Sequence, residues 1–103
     1  MKKEIQQILD KLRKKHPTKL SMMIGHHRND DYVGYCKGMG NFIIISFNKK
    51  LWKLLSNYQK KKAVTHEYCH VLSYDNGKKM AHDTYWKNLM KRFGYKPSIG
   101  MRV

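Results

Sequence analysis

Five residues near the middle of the chain, His66-Glu67-Tyr68-Cys69-His70, constrain the fold more than any other stretch. On a helix, positions i and i+4 stack on one face about 6 Å apart along the axis. Two imidazoles there can converge on one zinc ion at about 2.0–2.1 Å. Ala63, Val64 and Val71 frame the motif with apolar positions, so the helix is expected in the core. Two unpaired histidines and a glutamate would be costly to bury there, and a bound metal offsets that cost. Glu67 follows the first histidine, beside the metal and not on it. It is placed to take a proton from a water that the metal activates, as catalytic base. Zn²⁺ is the expected cofactor, with His66 and His70 as ligands.

A catalytic zinc site needs a third protein ligand and an open position. His82 is the leading candidate. It follows a "DNGKKMA" loop long enough to bring the chain back, and it precedes a helix that Trp86 can anchor. Its rivals are Cys69, at i+3 from His66, and the carboxylates of Asp75 and Asp83.

Around this centre the periodicity predicts an α+β chain. Ile5, Ile8, Leu9 and Leu12 recur at helical spacing over residues 3–15, and Pro17 ends that helix. "KLSMMIGHH" alternates as a strand, "RNDD" is a turn, "YVGYCK" is a second strand and "GMGN" turns into "FIIISFN". Three strands joined by short turns predict an antiparallel meander. Leu51, Leu54, Leu55 and Tyr58 then share a helical face, and Ser56 or Asn57 can cap the next helix, residues 59–74. Gly77 ends it. Asp83 is the expected N-cap of a last helix through Phe93 that turns Trp86, Leu89, Met90 and Phe93 inward, with Gly94 as its stop. The expectation is one domain over residues 1–103, of which 95–103 form a tail without periodicity.

Charge narrows the partners. Twenty-two basic residues face 7 acidic ones, a net +15. Such a surplus favours polyanion partners such as nucleic acid, single- or double-stranded DNA among them, or an anionic membrane surface; a lysine-rich solvated shell has the same composition. Cys36 and Cys69 form no CxxC pair and fit free thiols in a reducing compartment. The N-terminal stretch lacks the apolar run of a signal peptide, and "FIII" is far too short to span a bilayer. These features predict a cytoplasmic or nucleoid-associated monomer with no membrane partner.

"HEYCHVLSYDNGKKMAHDTYWKNLM" resembles the catalytic segment of SprT-like zinc metallopeptidases, which include the Spartan DNA–protein crosslink proteases. Their pattern is HExxH, a variable loop, then a histidine ahead of a helix with an aromatic anchor: here His66, Glu67, His70, His82 and Trp86. WLM-type and YgjP-type metallopeptidases are similar in the same residues. Asp83 stands where the family pattern has glycine, and no cysteine-rich zinc ribbon follows. The resemblance implies a minimal zincin core, with a small antiparallel sheet of about three strands packed on the HExxH helix. It also implies a zinc-dependent hydrolase of peptide bonds, acting on proteins held on DNA. "FIIISFNKKLW" matches the family's edge strand leading into a helix, so residues 41–47 are the expected strand-addition site for a peptide substrate. His26, His27, Arg28, Tyr35 and Tyr74 are candidate donors to the developing oxyanion. The alternative reading is a non-proteolytic, zinc-containing nucleic-acid-binding module. Glu67 separates the two, because a purely structural site has no use for that carboxylate.

Overall fold

Alternation and helical periodicity produce seven elements in a computed structural model that describes residues 1–78 and 80–96. They are α1 (Lys2–Lys15), β1 (Ser21–His27), β2 (Gly34–Met39), β3 (Phe42–Asn48), α2 (Lys49–Trp52), α3 (Asn57–Asp75) and α4 (Thr84–Arg92). The protein is α+β, with four helices and a three-stranded mixed sheet among the described residues. Ile5 and Leu9 of α1 are fully buried, and its last turn carries Arg13, Lys14 and Lys15, where the helix dipole favours cations.

The sheet corrects the expected meander. Strand order is β1-β3-β2; β2 pairs antiparallel with β3, but β1 pairs parallel with it. The reason lies in residues 28–33. This loop crosses the end of β3: the Asn48 amide side chain donates to the Asn29 carbonyl (2.9 Å) and the Asp30 carboxylate (3.0 Å), and the Asn48 backbone N–H donates to the Val33 carbonyl (2.9 Å). The turn therefore carries the chain past one strand position instead of folding β2 back on β1. Residues 41–47 are accordingly not an edge; β3 is the central strand, and β1 and β2 are the edges. An unbroken apolar run such as Ile43-Ile44-Ile45 suits a strand with neighbours on both sides.

The face of the sheet that carries Ile43, Ile45 and Phe47 is packed against the helices. There β2 presents Gly34, Cys36 and Gly38, paired with Phe47, Ile45 and Ile43. A Cβ on Gly38 would stand 2.6 Å from the Tyr74 ring, so glycine is what lets α3 lie this close to β2. Residues 63–73 of α3 are all buried, because α1, β2 and α4 all pack on this helix. The Thr65 and Ser73 hydroxyls bond inside the helix, to the carbonyls of Lys61 (2.7 Å) and Cys69 (2.9 Å), while the Tyr68 hydroxyl donates across to the His16 carbonyl.

The expected Leu51–Tyr58 face is broken. Ser56 starts α3 with a reciprocal capping box: its hydroxyl accepts from the Gln59 N–H (3.2 Å), and the Gln59 side chain accepts from the Ser56 N–H (2.8 Å). The helical register restarts there. Leu54 and Tyr58 are left 62% and 61% exposed, while Trp52 and Leu55 are buried. Gly77 (φ +70°) and Gly94 (φ +86°) follow α3 and α4 in the left-handed conformation expected of helix stops. Of the expected tail, residues 97–103 lie outside the described residues. No helix among the described residues is long and apolar enough to cross a membrane.

Candidate metal centre

Capping places His82. The Asp83 carboxylate accepts from the Trp86 backbone N–H (3.0 Å), which fixes the first turn of α4 immediately after His82. Trp86 then anchors that turn to α3: its indole N–H donates to the His66 carbonyl (3.1 Å). The Trp86 ring stacks on His70 (5.3 Å, 17°) and meets His66 and His82 edge-on at 4.7 and 4.6 Å. One aromatic side chain thus sets the tilt of all three imidazoles.

The three rings turn their Nε2 atoms toward one another. His82 Nε2 lies 3.1 Å from His66 Nε2 and 3.2 Å from His70 Nε2, and the potential ligand atoms of the three lie within 4.8 Å of one another. Hydrogen bonding alone does not account for this cluster. A ring nitrogen either carries a proton or offers a lone pair, so His82 Nε2 cannot accept from one neighbour while donating to the other. If it donates to both, the Nδ1 atoms of His66 and His70 must hold protons; if it accepts from both, one lone pair is shared between two donors and those Nδ1 atoms carry lone pairs. In either case both Nδ1 atoms are buried without a hydrogen-bond partner among the described residues. A tetrahedral ion with bonds of about 2.05 Å needs ligand nitrogens about 3.3 Å apart, close to the two spacings seen. The residues fit a metal ion, and zinc is compatible with an all-imidazole set.

Electrostatics point the same way. Burial, reinforced by repulsion from the neighbouring histidines, pulls the pKa of His66 down to about 3. Burial followed by His82 lowers His70 to about 4, and burial also lowers His82. The rings are held neutral, the form that binds metal. Glu67 is pushed up to about 8 by burial, with a smaller opposing effect from the Cys36 thiol. Its Oε2 stands 3.9 Å from His66 Nε2. The carboxyl is therefore beside the point on which the nitrogens converge, at the relative position the motif implies.

The rival ligands are occupied elsewhere. Asp83 is the α4 cap. Asp75 accepts from the Thr18 hydroxyl (2.8 Å), tying α3 to the segment ahead of β1. Cys69 is fully buried in the core, its thiol pushed up to about 12 by burial. Among the oxyanion candidates, Tyr35 and His27 pack together (4.8 Å) on the sheet face away from α3. His27 also contacts the Ser46 hydroxyl and the Tyr32 carbonyl. Tyr74 donates its hydroxyl to the Gly40 carbonyl (2.8 Å), and His26 and Arg28 are exposed. Cys36, read from the sequence only as a free thiol, lies with its Sγ 3.6 Å from the Glu67 backbone carbonyl. Nothing local could have found it, because the contact depends on the long-range packing of β2 against α3.

Residues 2–102 match the sequence model for the SprT-like family. No curated protein and no solved structure matches the chain.

Proposed function

The chain belongs to the SprT-like family, and from that membership and the site geometry we propose that it is a zinc-dependent peptidase that hydrolyses peptide bonds at the His66, His70 and His82 centre. The observation that carries this reading is the Glu67 carboxyl, buried and 3.9 Å from His66 Nε2. A non-hydrolytic, nucleic-acid-binding zinc module would leave that buried carboxyl without a role. His66, His70 and His82, whose Nε2 atoms converge, would hold the ion, with Trp86 fixing their orientation. When bound, zinc supplies a Lewis acid that acidifies water and polarises a carbonyl. Glu67, 3.9 Å from His66 Nε2, would be favoured in its ionised form beside a bound cation, against the effect of burial. Glu67 then accepts the proton of the attacking water on its carboxylate and returns it to the departing amine.

The substrate strand is assigned to a different edge from that expected. β2 is the sheet edge on which α3 packs, so an extended peptide adding to its free backbone edge would run beside the helix of the site. The net charge of +15 supports substrates held on DNA through phosphate contacts. The test is Glu67→Gln, which keeps the shape and removes the base. Cleavage of a disordered protein substrate should fall about 10²–10⁴-fold with zinc content unchanged. Zinc retention with cleavage within a few-fold of wild type would overturn the proposal.

A further inference from the structure

A second concave feature lies away from the histidines. A groove of ≈570 Å³ is lined by residues of α1 and α3 and by Phe93 and Tyr95, which follow α4. Its volume is in the range that buries a small ligand or a few side chains, about 300–1,000 Å³. The floor is apolar: Ile8, Leu12 and Phe93 are core-packed side chains left partly open. Lys11, Lys15 and Lys61 stand around it, all exposed. No acidic residue lines the groove, and among the described residues no ion pair engages any of these three lysines.

We propose that this groove docks an acidic amphipathic peptide segment of a partner protein, apolar side chains on the floor and carboxylates against the lysines. Charge complementarity selects an anionic partner. The apolar floor selects a peptide over a nucleic acid, because phosphates would use the lysines and leave the floor uncovered. The aromatic rings at the groove are already engaged: Phe93 meets His16 edge-on (4.9 Å, 64°) and Tyr95 packs against Tyr58 (5.7 Å). Two flanking helices with an open apolar seam form the geometry that receives a third, amphipathic helix. Thr65 lines the groove and is followed directly by His66, so α3 carries the docking surface on one side and the histidines on another. The proposal concerns binding and does not depend on hydrolysis.

The test is fluorescence anisotropy with a labelled synthetic helix bearing leucines at i, i+3, i+4 and i+7 and glutamates elsewhere. A scrambled peptide of the same composition and a single-stranded oligonucleotide serve as competitors. The expected result is binding at least about tenfold tighter for the amphipathic than for the scrambled peptide, a difference of about 1.4 kcal/mol. The same loss is expected for the paired charge reversal Lys11→Glu and Lys61→Glu, whose fold is checked by an unchanged thermal midpoint and zinc content. Equal binding of the scrambled peptide would reduce the site to bulk charge and overturn the proposal. So would peptide affinity within twofold of wild type in the charge-reversed protein. Tighter binding of the oligonucleotide with displacement of the peptide, lost on charge reversal, would assign the groove to nucleic acid instead.

Discussion

Trp86 is the residue on which the geometry of the three histidines turns. Its N–H holds the His66 carbonyl, and its ring lies against each imidazole. Phenylalanine would keep part of the ring contact and lose the hydrogen bond. Trp86→Phe should lower stability by about 1–2 kcal/mol and zinc affinity by about 10–100-fold, the usual effect of loosening a support behind the ligands. Competition with a chromogenic chelator measures the second quantity, and wild-type affinity there would remove Trp86 from the positioning of the site. The same residues set a pH signature for the metal-free protein. His66 and His70 titrate near 3 and 4 when folded, against an ordinary 6.5, and His82 is lowered too; Glu67 titrates near 8 against 4.5. From about pH 4.5 to 6.5 the unfolded chain gains protons on these histidines that the folded one refuses, and this outweighs the single proton held by folded Glu67. Stability therefore rises with pH. From about 6.5 to 8 only Glu67 differs; the folded state holds the extra proton, and stability falls. The thermal midpoint of chelated protein should peak near pH 6.5, and a steady rise through pH 8 would contradict the assignment of Glu67.

At the scale of elements, β2 is held to α3 by the absence of a side chain. A Cβ at Gly38 would come within 2.6 Å of the Tyr74 ring, and that ring is itself pinned by its hydroxyl on the Gly40 carbonyl. Gly38→Ala should cost about 1–3 kcal/mol through overpacking, read as a lower midpoint in urea. Because Cys36 and Glu67 lie along the same contact, the proposed peptidase activity should fall as well. A variant as stable as wild type would mean that the ring swings aside freely. Helix boundaries were largely legible in the sequence because they depend on local chemistry: Pro17 after α1, Ser56 and Asp83 as caps, Gly77 and Gly94 as stops. The spacing of His66 and His70 was legible for the same reason, and the short loop brought His82 within reach. Strand order was not. Whether residues 28–33 make a hairpin or a crossover depends on Asn48 side-chain bonds across 18 and 19 residues, and no local pattern encodes those partners. The exposed positions of Leu54 and Tyr58 were missed because helical periodicity was read through a cap.

At the scale of the whole molecule, charge is mostly uncompensated. Twenty-two basic residues face seven acidic ones. Among the described residues the lysine–carboxylate pairs are Lys60 with Glu4 (3.1 Å) and Lys50 with Asp30 (3.5 Å). Of the five acids that remain, Asp83 caps α4, Asp75 holds Thr18 and Glu67 is buried at the site, while Asp10 and Asp31 are exposed. The surface is left as a field of free ammonium groups, spread along α1, α2 and the start of α3 rather than gathered on a reading helix. Such groups exchange condensed counterions for phosphates, which makes affinity fall linearly on a log–log salt plot with a slope of about −0.9 per phosphate on duplex DNA and about −0.7 on single strands. Engagement of four or more phosphates predicts a slope of about −3 or steeper, with nearly equal affinity for unrelated sequences because phosphate contacts carry no base information. Anisotropy titrations of labelled single- and double-stranded DNA from low to physiological salt measure both. A flat salt dependence, or no binding at low salt, would take DNA out of the proposed substrate recruitment and leave the lysines as a solvating shell.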